Sequence, residues 1–362
     1  MSARLDTTPC PAAWWLPGGH AQTIYAAMFA PRPWLAFVRE RISLPDGDFL
    51  DLDWTAPGLH PDRPENDGPA TTDASLARSA ARRWMQPRDH AVLAMHRRPA
   101  LMLLHGLEGS SRSHYAQTVA HHFRARGWAV VVAHFRGCSG FPNRMARAYH
   151  SGDMDDVAAM LDAVHTRAPA AGWHAAGVSL GGNALLRQLG ERPEAQPWLR
   201  ACAAVSVPLD LVASGRQLSE HWLQRQIYTR HFLRSMKAKL SEKAERFPAS
   251  IDRTRLLHTH NLREFDDAYT APMHGFEDAM DYWTRASSKP LLGRLAIPSL
   301  ILNARDDPFV PSNSLPGPGQ TSPITVLHQP EKGGHAAFVT GRFPGRLEWL
   351  PQRLYRFFTQ GD

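Results

Sequence analysis

Polar and apolar positions change their spacing at a few places along the chain, and those changes outline its elements. Over 35–54 two alternating runs, Leu35-Ala36-Phe37-Val38-Arg39-Glu40-Arg41-Ile42-Ser43-Leu44 and Phe49-Leu50-Asp51-Leu52-Asp53-Trp54, flank Pro45-Asp46-Gly47-Asp48, which predicts a β-hairpin. From residue 100 onward, short unbroken apolar runs take over at 100–104, 128–135, 173–178 and 201–207, with helix-like stretches at 115–126, 153–167 and 182–189 between them. Strands covered on both faces lose their alternation, and a helix after each one carries the chain back to start a parallel neighbour. The expected fold class is therefore α/β, a doubly wound, mostly parallel sheet. Between Pro208 and Pro290 the rhythm stops, and 222–243 and 277–284 read as helices dense in Arg, Glu and aromatic residues. Strands resume at 299–303 and 324–328, and a last helix ends at Phe357-Phe358. This return to the sheet predicts an inserted helical cap above the carboxyl ends of the strands, where loops build sites.

The expected division is an N-terminal segment with the hairpin at 1–56, a surface insertion at 57–99, a core at 100–211, a cap at 212–290 and the rest of the core at 291–362. The insertion is rich in Pro, Asp, Ala and Arg, has one short helical stretch near 75–85, and is expected to carry no chemistry.

Composition narrows the class without choosing the chemistry. A chain of 362 residues, 43% hydrophobic and 21% charged, can bury a large core and needs no second domain. Its formal charge of +7 comes from scattered arginines and not from basic runs, which disfavours nucleic acid as a partner. Cys10, Cys138 and Cys202 form neither a CxxC pair nor an even framework, so they read as small buried thiols of a reducing compartment. Asp6 and Pro9 lie where a secretory signal needs an apolar core, and no run is long enough to span a bilayer. A soluble, cytoplasmic protein is expected.

The chemistry begins at Gly177-Val178-Ser179-Leu180-Gly181. A serine hydroxyl needs an adjacent base, and a GxSxG turn between a strand and a helix exposes it at the sheet edge, with the glycines making room for a strained elbow. Ser179 is the expected nucleophile. Asp306-Asp307 follows the strand at 299–303, and Gly333-Gly334-His335 follows the strand at 324–328, so acid and base arrive in the chain order of α/β-hydrolases. His335 is the expected base, fixed by a carboxylate. The acid is Asp307, since hydrolases of this fold resemble Asp, any residue, apolar, Val, Pro at this turn, and Asp306 then serves as a turn or cap residue. Two backbone donors are needed for a tetrahedral oxyanion: the N–H of Leu180 at a helix start, and the N–H of Leu107 in His105-Gly106-Leu107-Glu108-Gly109.

Further segments narrow the resemblance. Gly19-His20-Ala21-Gln22-Thr23-Ile24, the turn at 105–109, Phe135-Arg136-Gly137-Cys138-Ser139-Gly140, the elbow, Arg263-Glu264-Phe265-Asp266-Asp267, Ala271-Pro272-Met273-His274-Gly275-Phe276 and Gly333-Gly334-His335 resemble the YheT-like group of α/β-hydrolases, AB hydrolase family 4. That resemblance extends from about residue 14 to the C-terminus. It implies hydrolysis of short- to medium-chain carboxylic esters or acylglycerols without a cofactor, with acyl transfer to an alcohol or a catalytically idle binding role as alternatives. Membrane-anchored eukaryotic members carry an apolar N-terminal helix that this sequence lacks. Among the motif residues, His105, Gly106, Arg136, Phe276 and Phe338 are expected to line the substrate or hold the cap; Arg136 and Arg263 either pair with Asp266, Asp267 or Asp278 to pin the cap or make exposed ion pairs worth under about 1 kcal/mol. Departures from the family pattern are Ala337, where Gly is expected, and His134, where Asn is.

Other residues carry less. His150 and Asp155 match an acyltransferase-like His-x4-Asp spacing, but Ser151 or Asp153 capping the next helix explains the segment better. His114, His121 and His122 share a helix without an HExxH frame, so no metal site is expected, and Cys138 has no histidine at motif distance.

Overall fold

In the structure, a computed structural model that describes residues 2–61 and 80–361, the apolar runs pair side by side as strands. They are β1 (Arg4–Asp6), β2 (Phe37–Ser43), β3 (Phe49–Thr55), β4 (Ala81–Trp84), β5 (Ala100–Leu104), β6 (Ala129–His134), β7 (Trp173–Val178), β8 (Ala201–Val205), β9 (Ser299–Leu302) and β10 (Thr325–His328). One 10-stranded sheet results, in the order β1-β10-β9-β8-β7-β5-β6-β3-β2-β4. Every pairing is parallel except β2 with β3 and β3 with β6, so the hairpin is the antiparallel part of an otherwise parallel sheet.

Alternate residues of each central strand feed two cores. In β5, Met102 and Leu104 pack into a cluster with Met160, Leu161, Leu185 and Leu186, whereas Leu101 and Leu103 pack with Phe123, Leu354 and Phe357 on the other face. The helices α4 (Met154–Arg167) and α5 (Leu180–Glu191) therefore cover one side, and α3 (His114–Arg124) and α13 (Trp349–Gln360) the other. Because β5 lies between β6 and β7, the connections leaving β5 and β7 diverge, and a crevice opens at their carboxyl ends.

Between β8 and β9 the chain runs through α6 (Leu211–Glu220), α7 (Trp222–Gln224), a π-helical turn (Arg225–Thr229), α8 (Arg230–Arg246), α9 (Arg253–Leu257), α10 (Leu262–Phe265), a second π turn (Asp266–Thr270), α11 (Ala271–His274) and α12 (Ala279–Ala286). These helices have cores of their own, one around Leu233, Leu240, Leu256 and Phe265 and another around Leu211, Tyr282 and Trp283.

Three regions depart from the sequence expectations. The region 81–84 is a strand and not part of a helix: the Phe37 N–H donates to the Ala80 carbonyl at 3.0 Å, the Met85 N–H to the Arg39 carbonyl at 2.7 Å, and buried Arg83 reaches Asp89 at 2.9 Å. Those tertiary bonds outweigh the helical propensity of Ala and Arg; the remainder of that expected helix, 75–79, lies outside the described residues. The following α2 (Pro87–Ala94) puts Leu93 into the main core, so this part of the expected surface insertion is built into the fold. The third is the N-terminal region, where the short β1 and α1 (Gly18–Met28) were not foreseen. Among the described residues the three cysteines are free and buried, and no helix is long and apolar enough to cross a membrane.

Candidate active site

The turn from β7 into α5 bends so sharply that Ser179 sits at φ 54°, ψ −123°, a region costing a non-glycine residue about 1–3 kcal/mol. The flanking glycines permit it: a Cβ on Gly177 would lie 2.5 Å from the Gly181 carbonyl oxygen, and one on Gly181 would lie 2.5 Å from the His105 carbonyl oxygen. The Ser179 N–H donates to the Val205 carbonyl at the end of β8, 2.8 Å away, which anchors the elbow to the neighbouring strand.

Two loops converge on the same place. After β9, Asp307 is buried, and its carboxylate lies 2.9 and 3.1 Å from His335 Nδ1. Asp307 Oδ1 also accepts from the N–H groups of Phe309 at 2.8 Å and Val310 at 3.3 Å, which fixes its rotamer. Its neighbour Asp306 points the other way and accepts from the N–H groups of Gly333 and Gly334 at 2.9 and 2.8 Å, tying the acid turn to the histidine loop. Burial raises the Asp306 carboxyl above the usual carboxylate range despite those donors. The His335 N–H donates to Thr23 Oγ1 on α1, and the Ala336 N–H donates to Ser206 Oγ, both at 2.8 Å. Val205 thus holds the serine turn and the next residue holds the histidine loop, so both hang from one strand end. Helix α1 approaches this closely only because residue 19 is glycine: a Cβ there would lie 1.7 Å from the Asp306 carbonyl oxygen. Among the described residues no hydrogen bond joins the Ser179 hydroxyl to the His335 ring.

The turn after β5 faces the elbow. A Cβ on Gly106 would lie 3.1 Å from that of Ser179. His105 is fully buried behind the turn, with Nε2 accepting from the Phe135 N–H at 3.2 Å and Nδ1 lying 2.8 Å from the Gly106 carbonyl. Burial, helped by His134, pushes the His105 pKa down to about 3, so the ring is neutral and its Nδ1–H donates to that carbonyl. The Gly109 N–H donates to the same carbonyl at 2.9 Å. That carbonyl shares a peptide with the Leu107 N–H, so fixing one direction fixes the other. Glu108, at φ 56°, accepts from Ser235 Oγ and, at 2.9 Å, from Lys239 Nζ, both on α8 of the cap; its own N–H donates to the Tyr149 hydroxyl at 2.8 Å. Leu180, the first residue of α5, has an N–H with no intrahelical carbonyl to reach.

Other expected site residues stand elsewhere. Arg136 does not hold the cap: it donates to both Asp156 oxygens at 2.7 Å, to Asp46 at 2.6 Å and to Asp48 at 3.0 Å, all within the sheet domain. Burial works against its charge, and the carboxylates of Asp156 and Asp46 overcome this and raise its pKa. Asp266, Asp267 and Asp278 instead accept from Trp283 Nε1, the Ala279 N–H and the Asp281 N–H within the cap. Phe276 packs against His150 and Tyr282 with ring centroids 5.7 and 5.2 Å apart, and Phe338 is a core residue stacked on Trp349; neither ring joins the aromatic contacts of His335. His150 is itself wedged against His274 while Asp155 pairs with Arg192, and no hydrogen bond or ion pair among the described residues joins the two. Asp153 occupies the N-cap position of α4, but its carboxylate is engaged by Arg147 at 2.8 Å. No group of three or more His, Cys, Asp or Glu among the described residues is arranged to hold a metal. Thr23, Ser206, Tyr149 and Tyr115, whose hydroxyl accepts from the Gly106 N–H at 2.9 Å, were missed; only Thr23 carried a signal, inside the Gly19–Ile24 motif.

Above His335, Phe309 lies at 4.0 Å between ring centroids, Tyr228 at 4.6 Å from Phe309, and Ile24, Leu218 and Phe232 pack around them. This apolar wall joins α1, the cap and the acid turn. The family model for the alpha/beta hydrolase fold matches residues 99–342, and YheT of Escherichia coli (strain K12) is 34% identical over 342 residues, 94% of this chain and 90% of that one. The chain belongs to the α/β-hydrolase family, in its YheT-like branch. This α/β-hydrolase is a carboxylic ester hydrolase of the esterase and lipase type. It is also similar to the phospholipase ABHD3 of Homo sapiens, with 28% identity covering 96% of this chain and 77% of that one. The medium-chain fatty acid ethyl ester synthase/esterase 2 of Saccharomyces cerevisiae is 27% identical, covering 95% and 84%. In fold alone, it resembles DcsB in complex with its substrate analogue, at 10% identity and a TM-score of 0.50 over 89% of this chain and 98% of that one.

Proposed function

We propose that this α/β-hydrolase cleaves short- to medium-chain carboxylic esters or acylglycerols through an acyl-enzyme on Ser179, with His335 as general base and Asp307 as its orienting acid. The observation carrying this reading is the delivery of the Asp307–His335 pair, 2.9 Å apart, to the strand end that also anchors the Ser179 elbow. Ser179 Oγ attacks the acyl carbon as His335 Nε2 takes its proton, and Asp307 on Nδ1 fixes the tautomer and balances the imidazolium. The Oγ–Nε2 bond tightens when substrate fills the crevice, as catalytic hydrogen bonds often do. The tetrahedral oxyanion meets the N–H groups of Leu107 and Leu180, the alcohol departs with the proton from His335, and water repeats the sequence to release the acid. The wall of Phe309, Tyr228, Phe232, Ile24 and Leu218 suits an acyl chain.

The yeast relative's name covers ester synthesis and hydrolysis, and an alcohol in place of water at the second step gives that exchange from the same intermediate. Three unpaired buried cysteines fit a reducing compartment, so the cytoplasm is the proposed location. Hydrolysis of p-nitrophenyl esters of graded length tests the reading. Wild type turns them over with a preferred length and is labelled by a fluorophosphonate; Ser179→Ala does neither. Turnover or labelling that persists in Ser179→Ala overturns it, and added ethanol reports the share of acyl transfer.

A further inference from the structure

Helix α1 has two ends with different company. Near its start, His20 lies 3.0 Å from the Tyr228 hydroxyl and Thr23 holds the His335 loop. About 12 Å further along, at 1.5 Å per residue, Met28 and the following Phe29 are 68% and 64% exposed. Phe343, in the turn before α13, is 75% exposed, and Trp14, in the turn before α1, is 85% exposed. Ring contacts join two of these, since Phe343 meets Trp15 at 5.3 Å, Trp15 meets Tyr25 at 4.9 Å, and Tyr25 meets Phe29 at 6.0 Å; Trp14 and Met28 are the chain neighbours of Trp15 and Phe29. Two further bonds hold the turn against the helix, from Trp15 Nε1 to the Gly341 carbonyl at 3.1 Å and from the Tyr25 hydroxyl to the Pro344 carbonyl at 2.8 Å. Large side chains are seldom left in water as a connected group on a monomer.

The charge beside the patch is mostly basic. Residues 7–39 and 332–347 contain no Asp or Glu, and the exposed Glu348, two residues after Arg346, is the acid nearest to Phe343 in sequence. Arg342 and Arg346 are exposed on either side of Phe343, and Arg32 is exposed just beyond Phe29, donating to the Ala27 carbonyl at 3.2 Å. Tryptophan and other aromatic side chains seat at the level of lipid headgroups, and arginines beside them meet anionic phosphates.

We propose that this face docks on an anionic phospholipid surface, Trp14, Met28, Phe29 and Phe343 entering the headgroup layer while Arg32, Arg342 and Arg346 contact lipid phosphates. The surface lies outside the ester-cleaving residues, so docking and catalysis are separable. Because α1 also carries His20 and Thr23, docking brings the candidate site to within about one helix length of the bilayer. Binding of this kind is peripheral and reversible.

Sedimentation of the full chain with vesicles tests the proposal, using phosphatidylcholine alone and phosphatidylcholine mixed with phosphatidylglycerol. Wild type pellets with the mixed vesicles and is released by salt. The double variant Trp14→Ser/Phe343→Ser binds about tenfold more weakly, and Arg342→Glu/Arg346→Glu loses roughly fivefold for each charge removed, with a smaller salt dependence. All of these side chains are exposed, so hydrolysis of a water-soluble p-nitrophenyl ester stays at the wild-type rate and certifies the fold of each variant. Failure of wild type to bind the mixed vesicles, or binding by both double variants as tight as that of wild type, overturns the proposal. So does sedimentation-equilibrium behaviour showing a dimer that the aromatic double variant abolishes, since the face would then belong to a second copy of the chain.

Discussion

Two parts of this molecule bury charge beside one sheet for opposite ends. At the hairpin, Arg39 donates to both Asp53 oxygens at 2.7 and 2.8 Å, Arg41 to both Asp51 oxygens at 2.8 and 2.9 Å, and Arg136 to Asp156, Asp46 and Asp48. Every one of these carboxylates has a guanidinium partner. At the carboxyl ends of β7, β8 and β9 there are fewer ionisable groups, and they are held by neutral donors, backbone N–H groups and hydroxyls, beside a strained serine. Density of charge is therefore a poor guide to the proposed site. What marks that proposed site is backbone strain at Ser179 joined to a His–Asp pair whose remaining contacts all serve orientation.

The sharpest break in the comparison is to remove one group from each region. Ser179→Ala is expected to lower kcat by roughly 10⁶, and Asp307→Asn by about 10⁴, with the folded state retained in both. Steady-state rates beside a thermal unfolding midpoint check this. Arg136→Met is expected to do the reverse. It leaves Asp156 buried without its main partner and takes one of several donors from Asp48, costing about 3–5 kcal/mol in urea unfolding, while activity per folded molecule stays at the wild-type value. A large fall in kcat for Arg136→Met without loss of stability would erase the distinction between the regions.

The same division explains what the sequence disclosed. The runs that became β5, β6, β7 and β8 were legible because a strand buried on both faces must be apolar throughout, and the elbow was legible because only glycine tolerates the contacts at 177 and 181. Arg136 was misplaced because local sequence shows that an arginine needs an acid but not which acid; its partners lie 20, 88 and 90 residues away. Strand β4 and helix α1 share this cause, as both are held by contacts to distant backbone. Tyr149, 41 residues from Glu108, had no signal of its own, though it fixes the peptide after the proposed oxyanion donor.

A smaller effect is expected where cap and sheet domain meet. Lys239 of α8 holds Glu108 at 2.9 Å, one residue beyond Leu107. Losing a whole oxyanion donor costs about 10²–10³ in kcat, and Lys239→Met loosens one without removing it, so a fall of roughly tenfold in kcat is expected with little change in KM. Lys239→Arg, which can still donate to Glu108, restores most of the rate. If KM rises instead and kcat is unmoved, α8 contacts the substrate and has no hold on the turn.

The last contrast is in pH dependence, and its sign differs between hairpin and cap. Burial opposes ionisation of Asp53, but the Arg39 guanidinium overcomes this and holds its carboxyl below the usual range. The stability it contributes is present above the unfolded-chain value of 3.8 and is lost as pH falls through the lower folded value. Asp266 in the cap is the opposite case. Burial, with Asp267 nearby, pushes its pKa up to about 7, and the bonds from Thr270 Oγ1 at 2.6 Å and Trp283 Nε1 at 2.8 Å only partly offset this. Between 3.8 and about 7 the folded chain binds a proton at Asp266 that the unfolded chain has released, so this carboxyl's contribution falls as pH rises through that window and is level above it. Asp266→Asn keeps the shape, turning its oxygen to Trp283 and its amide to the Thr270 hydroxyl. The stability of the variant relative to wild type, from urea midpoints, is expected to climb from pH 4 to pH 7 and then level off. A difference that is flat across that range would mean Asp266 is ionised throughout, and that the cap, like the hairpin, buries its carboxylates charged.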